Sequence, residues 1–484
     1  MRYILFVCCC VQLCAGHARG QDNLPAPDAG AVSAKGYYNL FASHPIHGVV
    51  LIAEQGHIIV QQGFGHQVGD AFQLGSISKS FTALAVLQLA ARRQISVQDP
   101  LVKYFPDFPF PGITIRHLLT HTSGLPDKEE LFFPLIEKDS TRRFYNEDII
   151  PALRGHQLAF APGSNWRYNN VGYALLASLV ARVSGMAFGQ YLHRYVFTPA
   201  GMTHTYLLDS TRMVPGYLVR HHYLGDMESI YQSKKVRPWT YNLRWLQGPT
   251  NVVSTAQDLL KYDQALSTHR LLRADPCVPL TAAQPGEFGP AAYGYGWFIP
   301  VDTSAGKVAM HTGKEPGAFS FFWRDITHRR VVVLLDDYES PDFGDACRGS
   351  VNLLSGRPYF PEADHGRQSL FLPYVQKLYR EGINTATVFF NEHRADTAHY
   401  IATEWELNAL GLELLEDGHN AAATEALKLA TLLYPGSWNT YDSYGKALLQ
   451  SGDTANAVRM YEKSVTMFPG NEPAKKILAV LKSR

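Results

Sequence analysis

Ser76 stands three residues before Lys79, where Gly75 turns the chain into a long apolar run over residues 81 to 91. Positions i and i+3 of a helix share a face, so the hydroxyl and the amine can meet within one turn. A serine is a weak nucleophile at its own pKa, and a lysine whose surroundings disfavour its charge can accept the proton. A helix N-terminus adds backbone N–H groups and partial positive charge where an oxyanion develops. The competing reading is a capping serine followed by an ordinary lysine. Spacing alone does not decide, because Ser304 with Lys307 and Ser443 with Lys446 repeat it. The first of these pairs encloses a glycine between strand-like runs and the second lies inside helical sequence. Only Ser76 has a turn feeding a buried helix.

A second cluster lies in the turn-rich stretch Phe160-Ala161-Pro162-Gly163-Ser164-Asn165-Trp166-Arg167-Tyr168-Asn169-Asn170, which leads into an apolar helix expected over residues 171 to 183. A phenol at that helix mouth can relay a proton, and an amide can hold both a lysine and a substrate carbonyl. Tyr168 and Asn170 equally suit an aromatic packing position beside a capping asparagine, and Tyr37-Tyr38-Asn39 repeats the spacing. His117 and His121 are four apart in a short helix expected over 113 to 121. With no third ligand candidate nearby they read as structural, and no metal site is expected.

The elements that must position these groups can be read from the apolar periodicity. Two runs, 47 to 53 and 57 to 60, flank Glu54-Gln55-Gly56 as a β-hairpin running straight into the serine helix. Residues 203 to 247, with Trp239, Tyr241 and Trp245, either roof a pocket or pack as a surface insertion. Helical periodicity returns over 251 to 266. Four strand-like runs follow at 293 to 299, 307 to 311, 318 to 323 and 331 to 335, with the turn His311-Thr312-Gly313-Lys314-Glu315-Pro316-Gly317 joining two of them. Strands at both ends with helices between imply an α/β (α+β) fold, an antiparallel sheet packed against a helical layer.

The 484 residues suggest two or three domains, and 46% hydrophobic with 18% charged content describes an ordinary globular protein. Forty-four basic against 43 acidic side chains leave a net charge of +1, which argues for neither a nucleic-acid nor a membrane-surface partner. Arg2, an apolar run from residue 4 to 13 and small residues up to Gly20 read as a cleaved export signal over 1–20, too short to span a bilayer. Gln12-Leu13 before Cys14 does not suit a lipoprotein site, so a soluble periplasmic or extracellular protein is expected. Cys277 and Cys347 remain after cleavage, as a disulfide or as separate small core residues. With no CxxC pair left, neither a thiolate metal site nor a cysteine nucleophile is expected.

Ser76-Ile77-Ser78-Lys79, Tyr168-Asn169-Asn170 and His311-Thr312-Gly313 occur in the order found in the penicillin-recognising serine hydrolases, and the chain resembles that family: serine β-lactamases, D-alanyl-D-alanine carboxypeptidases and their esterase and aminopeptidase relatives. Arg116-His117-Leu118-Leu119-Thr120-His121-Thr122-Ser123-Gly124-Leu125-Pro126 and Phe160-Ala161-Pro162-Gly163 resemble the class C branch, and the likeness covers roughly residues 30–355. The resemblance implies Ser76 as acylated nucleophile, Lys79 as its proton acceptor and Tyr168 as proton relay to the leaving group. Asn170 would orient Lys79 and substrate, Thr312 and Gly313 would lie on an edge strand beside the substrate backbone, and the N–H groups of Ser76 and Lys314 would form the oxyanion hole. It requires no cofactor or metal.

Two departures matter. His311 stands where the family's commonest third motif has lysine, which argues against a dedicated β-lactamase; a packing role for this histidine is the alternative. Affinity for substrates with a free carboxylate is expected to fall as His311 loses its proton, an effect that the charge of Lys314 would blunt. Glu404-Trp405-Glu406-Leu407-Asn408 resembles the deacylation motif of class A β-lactamases but follows the third motif, so it is assigned no catalytic role.

From about residue 368 the sequence turns helix-forming. Gly411, Gly418, Pro435 and Gly436 recur as Gly445, Gly452, Pro469 and Gly470, a shift of 34 that matches the tetratricopeptide period. Residues 356–400 are expected to hold a linker and a helical hairpin, and 401–484 the repeats, which either offer a protein partner a surface or only pack on the hydrolase domain. The leading reading is an exported serine hydrolase acting on D-amino-acid-containing peptides or related amides and esters, with weak β-lactam turnover. The alternatives are a sensor occupied by cell-wall fragments and a repeat-based scaffold.

Overall fold

The computed structural model describes residues 34–44, 46–208, 219–221, 227–229, 242–273, 291–300, 306–315, 317–337, 342–357, 368–416 and 418–482. The expected export signal, Trp239, Tyr241 and Cys277 lie outside these residues, and with Cys277 so does the question of its bridge to Cys347. The chain divides into two compact units, Met1–His221 with Glu228–Phe360, and His222–Met227 with Pro361–Arg484.

In the first unit α1 (Ala34–Ser43) precedes the hairpin of β1 (Gly48–Glu54) and β2 (His57–Phe64). Gln55 at φ 53° and Gly56 at φ 84° give its two-residue turn the left-handed backbone that follows strand twist. A short β3 (Phe72–Gln73) and a 3-10 turn (Gly75–Ile77) lead into α2 (Ser78–Ala91). α2 is apolar nearly all round and buried along almost its whole length, as a central helix must be. Next come α3 (Ile115–Leu119), α4 (Lys128–Lys138), α5 (Asn170–Ser184), β4 (Tyr206–Leu207), β5 (Val252–Ser254) and α6 (Ala256–Ser267). The unit ends with β6 (Ala291–Gly294), β7 (Trp297–Pro300), β8 (Val308–Glu315), β9 (Ala318–Asp325), β10 (Arg330–Asp336) and α7 (Asp342–Leu354).

The main sheet has seven strands in the order β2-β1-β10-β9-β8-β7-β6, all antiparallel, and helices pack on it to make one continuous apolar core. β1, the first long strand, lies in register with β10, Gly48 opposite Asp336 through Glu54 opposite Arg330. β3, β5 and β4 form a small second sheet.

Three local expectations are corrected. The run 293 to 299 is two strands, because Tyr295 and Gly296 turn at positive φ where Gly296 meets the backbone of α2. Residues 311 to 315 are strand, not turn. Residues 252 to 254 are strand β5, since Val253 pairs with both Gln73 and Tyr206 before α6 begins.

The second unit is helical: α8 (Phe371–Arg380), α9 (Ile383–His393), α10 (Glu404–Glu416), α11 (Asn420–Leu433), α12 (Trp438–Gln450), α13 (Thr454–Met467) and α14 (Glu472–Lys482). α10 and α11 recur 34 residues later as α12 and α13. Gly411 lets Leu427 approach its helix as Gly445 lets Tyr461, the same shift again. Glu404 to Asn408 form the first turn of α10, and Ser443 with Lys446 lie within α12. Among the described residues no single helix is long and apolar enough to cross a membrane.

Candidate active site

Ser76 sits in the 3-10 turn at the foot of α2, and Lys79 one turn later is fully buried. Lys79 Nζ lies 3.1 Å from Ser76 Oγ, 2.9 Å from Asn170 Oδ1 and 3.2 Å from the Pro249 carbonyl oxygen. Burial drives its pKa well below the ordinary lysine value, opposed in part by the negative charge of Asp127. Once deprotonated, the amine has two hydrogens and one lone pair for three partners. The Asn170 and Pro249 oxygens can only accept, so they take the hydrogens and the lone pair is left facing the Ser76 hydroxyl. That is the orientation of a general base.

Asn170 is itself held in place. Its Nδ2 donates to Asp127 Oδ2 at 2.9 Å, which fixes the amide with Oδ1 toward Lys79. Asp127 Oδ1 accepts the backbone N–H groups of Asn170 and Val171, capping α5 from another segment, while Asn169 Oδ1 accepts Gly172 N–H.

Tyr168 is half-buried with its hydroxyl turned inward, its ring 4.7 Å from Lys79 Nζ and between His121 at 4.4 Å and Phe298 stacked at 6.3 Å. Burial raises its pKa well above the usual phenol value, and the Ser76 side chain works against that rise. The hydroxyl nevertheless falls short of hydrogen-bond geometry with any described group, so it is a buried proton carrier poised beside the nucleophile. A phenol kept protonated beside an amine whose charge is disfavoured by burial can shuttle a proton.

Gly75, at φ 50°, lets the nucleophile's turn press on β8: a β-carbon there would stand 2.7 Å from Lys314 N. A β-carbon on Gly313 would come within 2.0 Å of the Leu74 carbonyl oxygen, and Ser320 Oγ donates to that oxygen at 2.7 Å. These contacts bring the Ser76 and Lys314 backbones together, as an oxyanion pocket needs. β8 is not an edge strand, since β7 and β6 lie beyond it. Pairing with β7 is confined to Met310 opposite Phe298, so among the described residues the stretch from His311 to Glu315 has no partner strand on that side. Thr312 and Gly313 lie on it, and the Lys314 ammonium lies over the Phe319 ring at 5.1 Å.

His311 is fully buried, and burial followed by the nearby Lys79 pushes its pKa down to about 3. Its Nδ1 donates to the Thr312 carbonyl at 2.6 Å, which leaves Nε2 to accept the Tyr293 hydroxyl at 3.0 Å. The expected loss of carboxylate affinity with His311 deprotonation is therefore overturned: at working pH this imidazole has no second proton to lose. The imidazole braces the aromatic wall behind Tyr168.

Sequence reasoning missed Asp127, the Pro249 carbonyl and Tyr293, and read His121 as structural. Asp127 directly follows the Gly124-Leu125-Pro126 stretch and was the one within reach of a local signal. The other expected histidine, His117, closes a capping box with Thr114, so its structural reading holds. His121 Nδ1 accepts Asn169 N–H at 3.1 Å, and burial lowers its pKa well below the ordinary imidazole value.

The family model described as beta-lactamase matches residues 38–348. Penicillin-binding protein 4* of Bacillus subtilis (strain 168) is 30% identical over 351 residues, covering 67% of this chain and 75% of that protein. The crystal structure of a penicillin binding protein from Bacillus halodurans superposes with a TM-score of 0.56 at 25% identity, over 66% of this chain and 98% of that one. D-amino acid amidase from Ochrobactrum anthropi SV3 shares the fold with a TM-score of 0.53 at 21% identity, over 66% and 97% of the two chains.

Proposed function

The chain belongs to the beta-lactamase family, and on that premise we propose that it is an exported serine hydrolase acting through an acyl-enzyme on Ser76. The observation that carries the reading is the buried Lys79 amine, 3.1 Å from Ser76 Oγ and held by two oxygens that can only accept. Lys79 takes the Ser76 proton as Oγ bonds to the substrate carbonyl carbon, and the Ser76 and Lys314 N–H groups receive the charge on the carbonyl oxygen. Tyr168 hands a proton to the departing amine or alkoxide. Water then adds to the acyl carbon as the Lys79–Tyr168 pair takes its proton, and the pair returns a proton to Ser76 Oγ as the Oγ–acyl carbon bond breaks and the product acid leaves.

The substrate class is a D-amino-acid-containing peptide or related amide or ester, lying along the unpaired side of β8, with β-lactams as slow substrates or trapping inhibitors. Supporting it are a neutral His311 where dedicated β-lactamases commonly keep a lysine cation, the penicillin-binding relative, and the fold shared with a D-amino acid amidase. The second unit is of the tetratricopeptide type and binds a protein partner, a reading that rests on its 34-residue recurrence. A sensor that is acylated without turnover uses the same residues.

Labelling of the full chain with a fluorescent penicillin, with Ser76→Ala as control, tests the nucleophile: label is expected on the parent and none on the variant. Turnover of a D-alanyl-D-alanine peptide, a nitrophenyl ester or a chromogenic cephalosporin separates hydrolase from sensor. Stable labelling with no turnover on any of the three would replace the hydrolase by the sensor.

A further inference from the structure

At the end of the sheet opposite the β1–β2 turn, three side chains far apart in sequence meet. His47 Nδ1 lies 2.6 Å from Asp337 Oδ1, and His66 Nε2 lies 3.2 Å from Asp337 Oδ2. The two imidazoles meet edge to face with centroids 4.9 Å apart, and one ligating atom from each of the three residues falls within 4.8 Å of the others. We propose that His47 Nδ1, His66 Nε2 and an Asp337 carboxylate oxygen form a binding site for a divalent cation of the zinc class, with water completing a tetrahedron.

The donor set fits. Zinc takes imidazole nitrogen and carboxylate oxygen at about 2.0–2.2 Å, so ligand atoms on one ion sit about 3.3 Å apart. The His66 Nε2–Asp337 Oδ2 separation already matches, while His47 Nδ1 meets the other carboxylate oxygen, Oδ1, so a small turn of the carboxylate brings both nitrogens and one oxygen onto the ion. His66 also has the supporting shell of a metal ligand. Its Nδ1 meets Asp70 Oδ2 at 3.0 Å, and that carboxylate is steadied by Gln67 N–H at 3.0 Å. A carboxylate on Nδ1 keeps a proton there, so Nε2, which meets Asp337 Oδ2 in this structure, is the nitrogen that gives up its proton to an ion.

The backbone holds the groups on a rigid frame. His47 and Asp337 extend the β1–β10 ladder by one step beyond Gly48 and Asp336, with Asp337 N donating to the His47 carbonyl at 3.1 Å and His47 N to Asp336 Oδ2 at 3.2 Å. Gly65, at φ 69°, leaves room for the His47 ring, since a β-carbon there would stand 2.2 Å from Nε2. Gly63 lets the chain fold back on His66, whose carbonyl oxygen a β-carbon would meet at 1.9 Å. The Asp337 side chain is 13% exposed and His66 20%, while His47 is 41% exposed and leaves a face for the water ligand.

The site is built into the approach to the nucleophile. The His66 ring packs on Phe72 at 4.9 Å, and Phe72 opens the β3 segment that delivers Ser76. A bound ion clips the start of β1, the end of β2 and the end of β10 together, so its role is to hold that corner of the sheet and the run into the active site. It takes no part in the acyl transfer.

The test is zinc titration of the full chain, purified without a histidine tag and stripped with a chelator, followed by calorimetry and by the visible spectrum of the cobalt(II) form. One ion per chain is expected, with the spectrum of a tetrahedral nitrogen and oxygen site. Zinc at about 100-fold over its dissociation constant is expected to raise the unfolding midpoint by about 5 °C. His66→Ala is expected to weaken binding by about 100-fold while leaving penicillin labelling of Ser76 intact. Should that variant misfold, the more exposed His47→Asn gives the same reading. No stoichiometric binding by the parent chain, or binding unchanged in a folded His66→Ala or His47→Asn variant, overturns the site.

Discussion

Lys79 is surrounded by two oxygens that can only accept and one hydroxyl that can also donate, and this asymmetry sets its direction once burial has cost it its charge. Replacing it by methionine keeps the apolar stem and removes the lone pair. Lys79→Met is expected to lower the acylation rate by about 10²–10⁴-fold with little change in reversible substrate binding, read from pre-steady-state kinetics. The same amine predicts a pH profile: acylation falls as pH is lowered and Lys79 takes a proton. His311 predicts one for stability. Its pKa is near 6.5 unfolded and about 3 folded, so between those values the unfolded chain binds the extra proton. Stability is complete above about pH 6.5 and declines by a few kcal/mol toward pH 3, and a His311→Gln variant is expected to flatten that part of the curve in denaturant titrations. The Ser76–Lys79 contact was legible because both residues ride one helix turn. Asp127 was not, because its partners stand 43 and 44 residues away and only the fold brings them to it.

At the scale of elements, the site is a junction between the turn before α2 and the unpaired side of β8. Gly75 is where the two touch. Gly75→Ala places a β-carbon against Lys314 N on a left-handed backbone, so a loss of roughly 2 kcal/mol of stability is expected. Acylation is expected to drop further than stability, since the oxyanion donors move apart; comparing urea midpoints with labelling rates separates the two. Periodicity revealed the hairpin, α2, α5 and the long strands, all driven by repeating apolar faces. It misjudged 311 to 315, where Gly313 and the Pro316-Gly317 that follows suggest a turn. Gly313 is there because the Leu74 carbonyl oxygen leaves no space for a side chain, a constraint from another part of the molecule. Tyr295 and Gly296 were hidden for the same reason, since their bend fits the surface of α2.

At the scale of the molecule, the two units have separate apolar cores, one gathered around the main sheet and others among the terminal helices. The nucleophile, its base, the phenol and the β8 backbone all belong to the first. A chain ending after Arg357 is therefore expected to fold and to take up fluorescent penicillin at Ser76 at a rate within about twofold of the full chain; unfolding of the shortened chain would show that the helices are needed. The 34-residue recurrence made those helices readable in advance, whereas what they bind depends on a surface that recurrence does not describe.

The register that sets Gly48 opposite Asp336 also fixes when this protein can become itself. The second strand of the chain to form any pairing across that seam is nearly 300 residues downstream, so synthesis has delivered the serine, the amine and the phenol long before the sheet can close around them. Contacts of such long range form late and slowly. A nascent or threading polypeptide therefore carries every reactive group and no reactivity, and competence arrives only when the last long strand slides in beside the first.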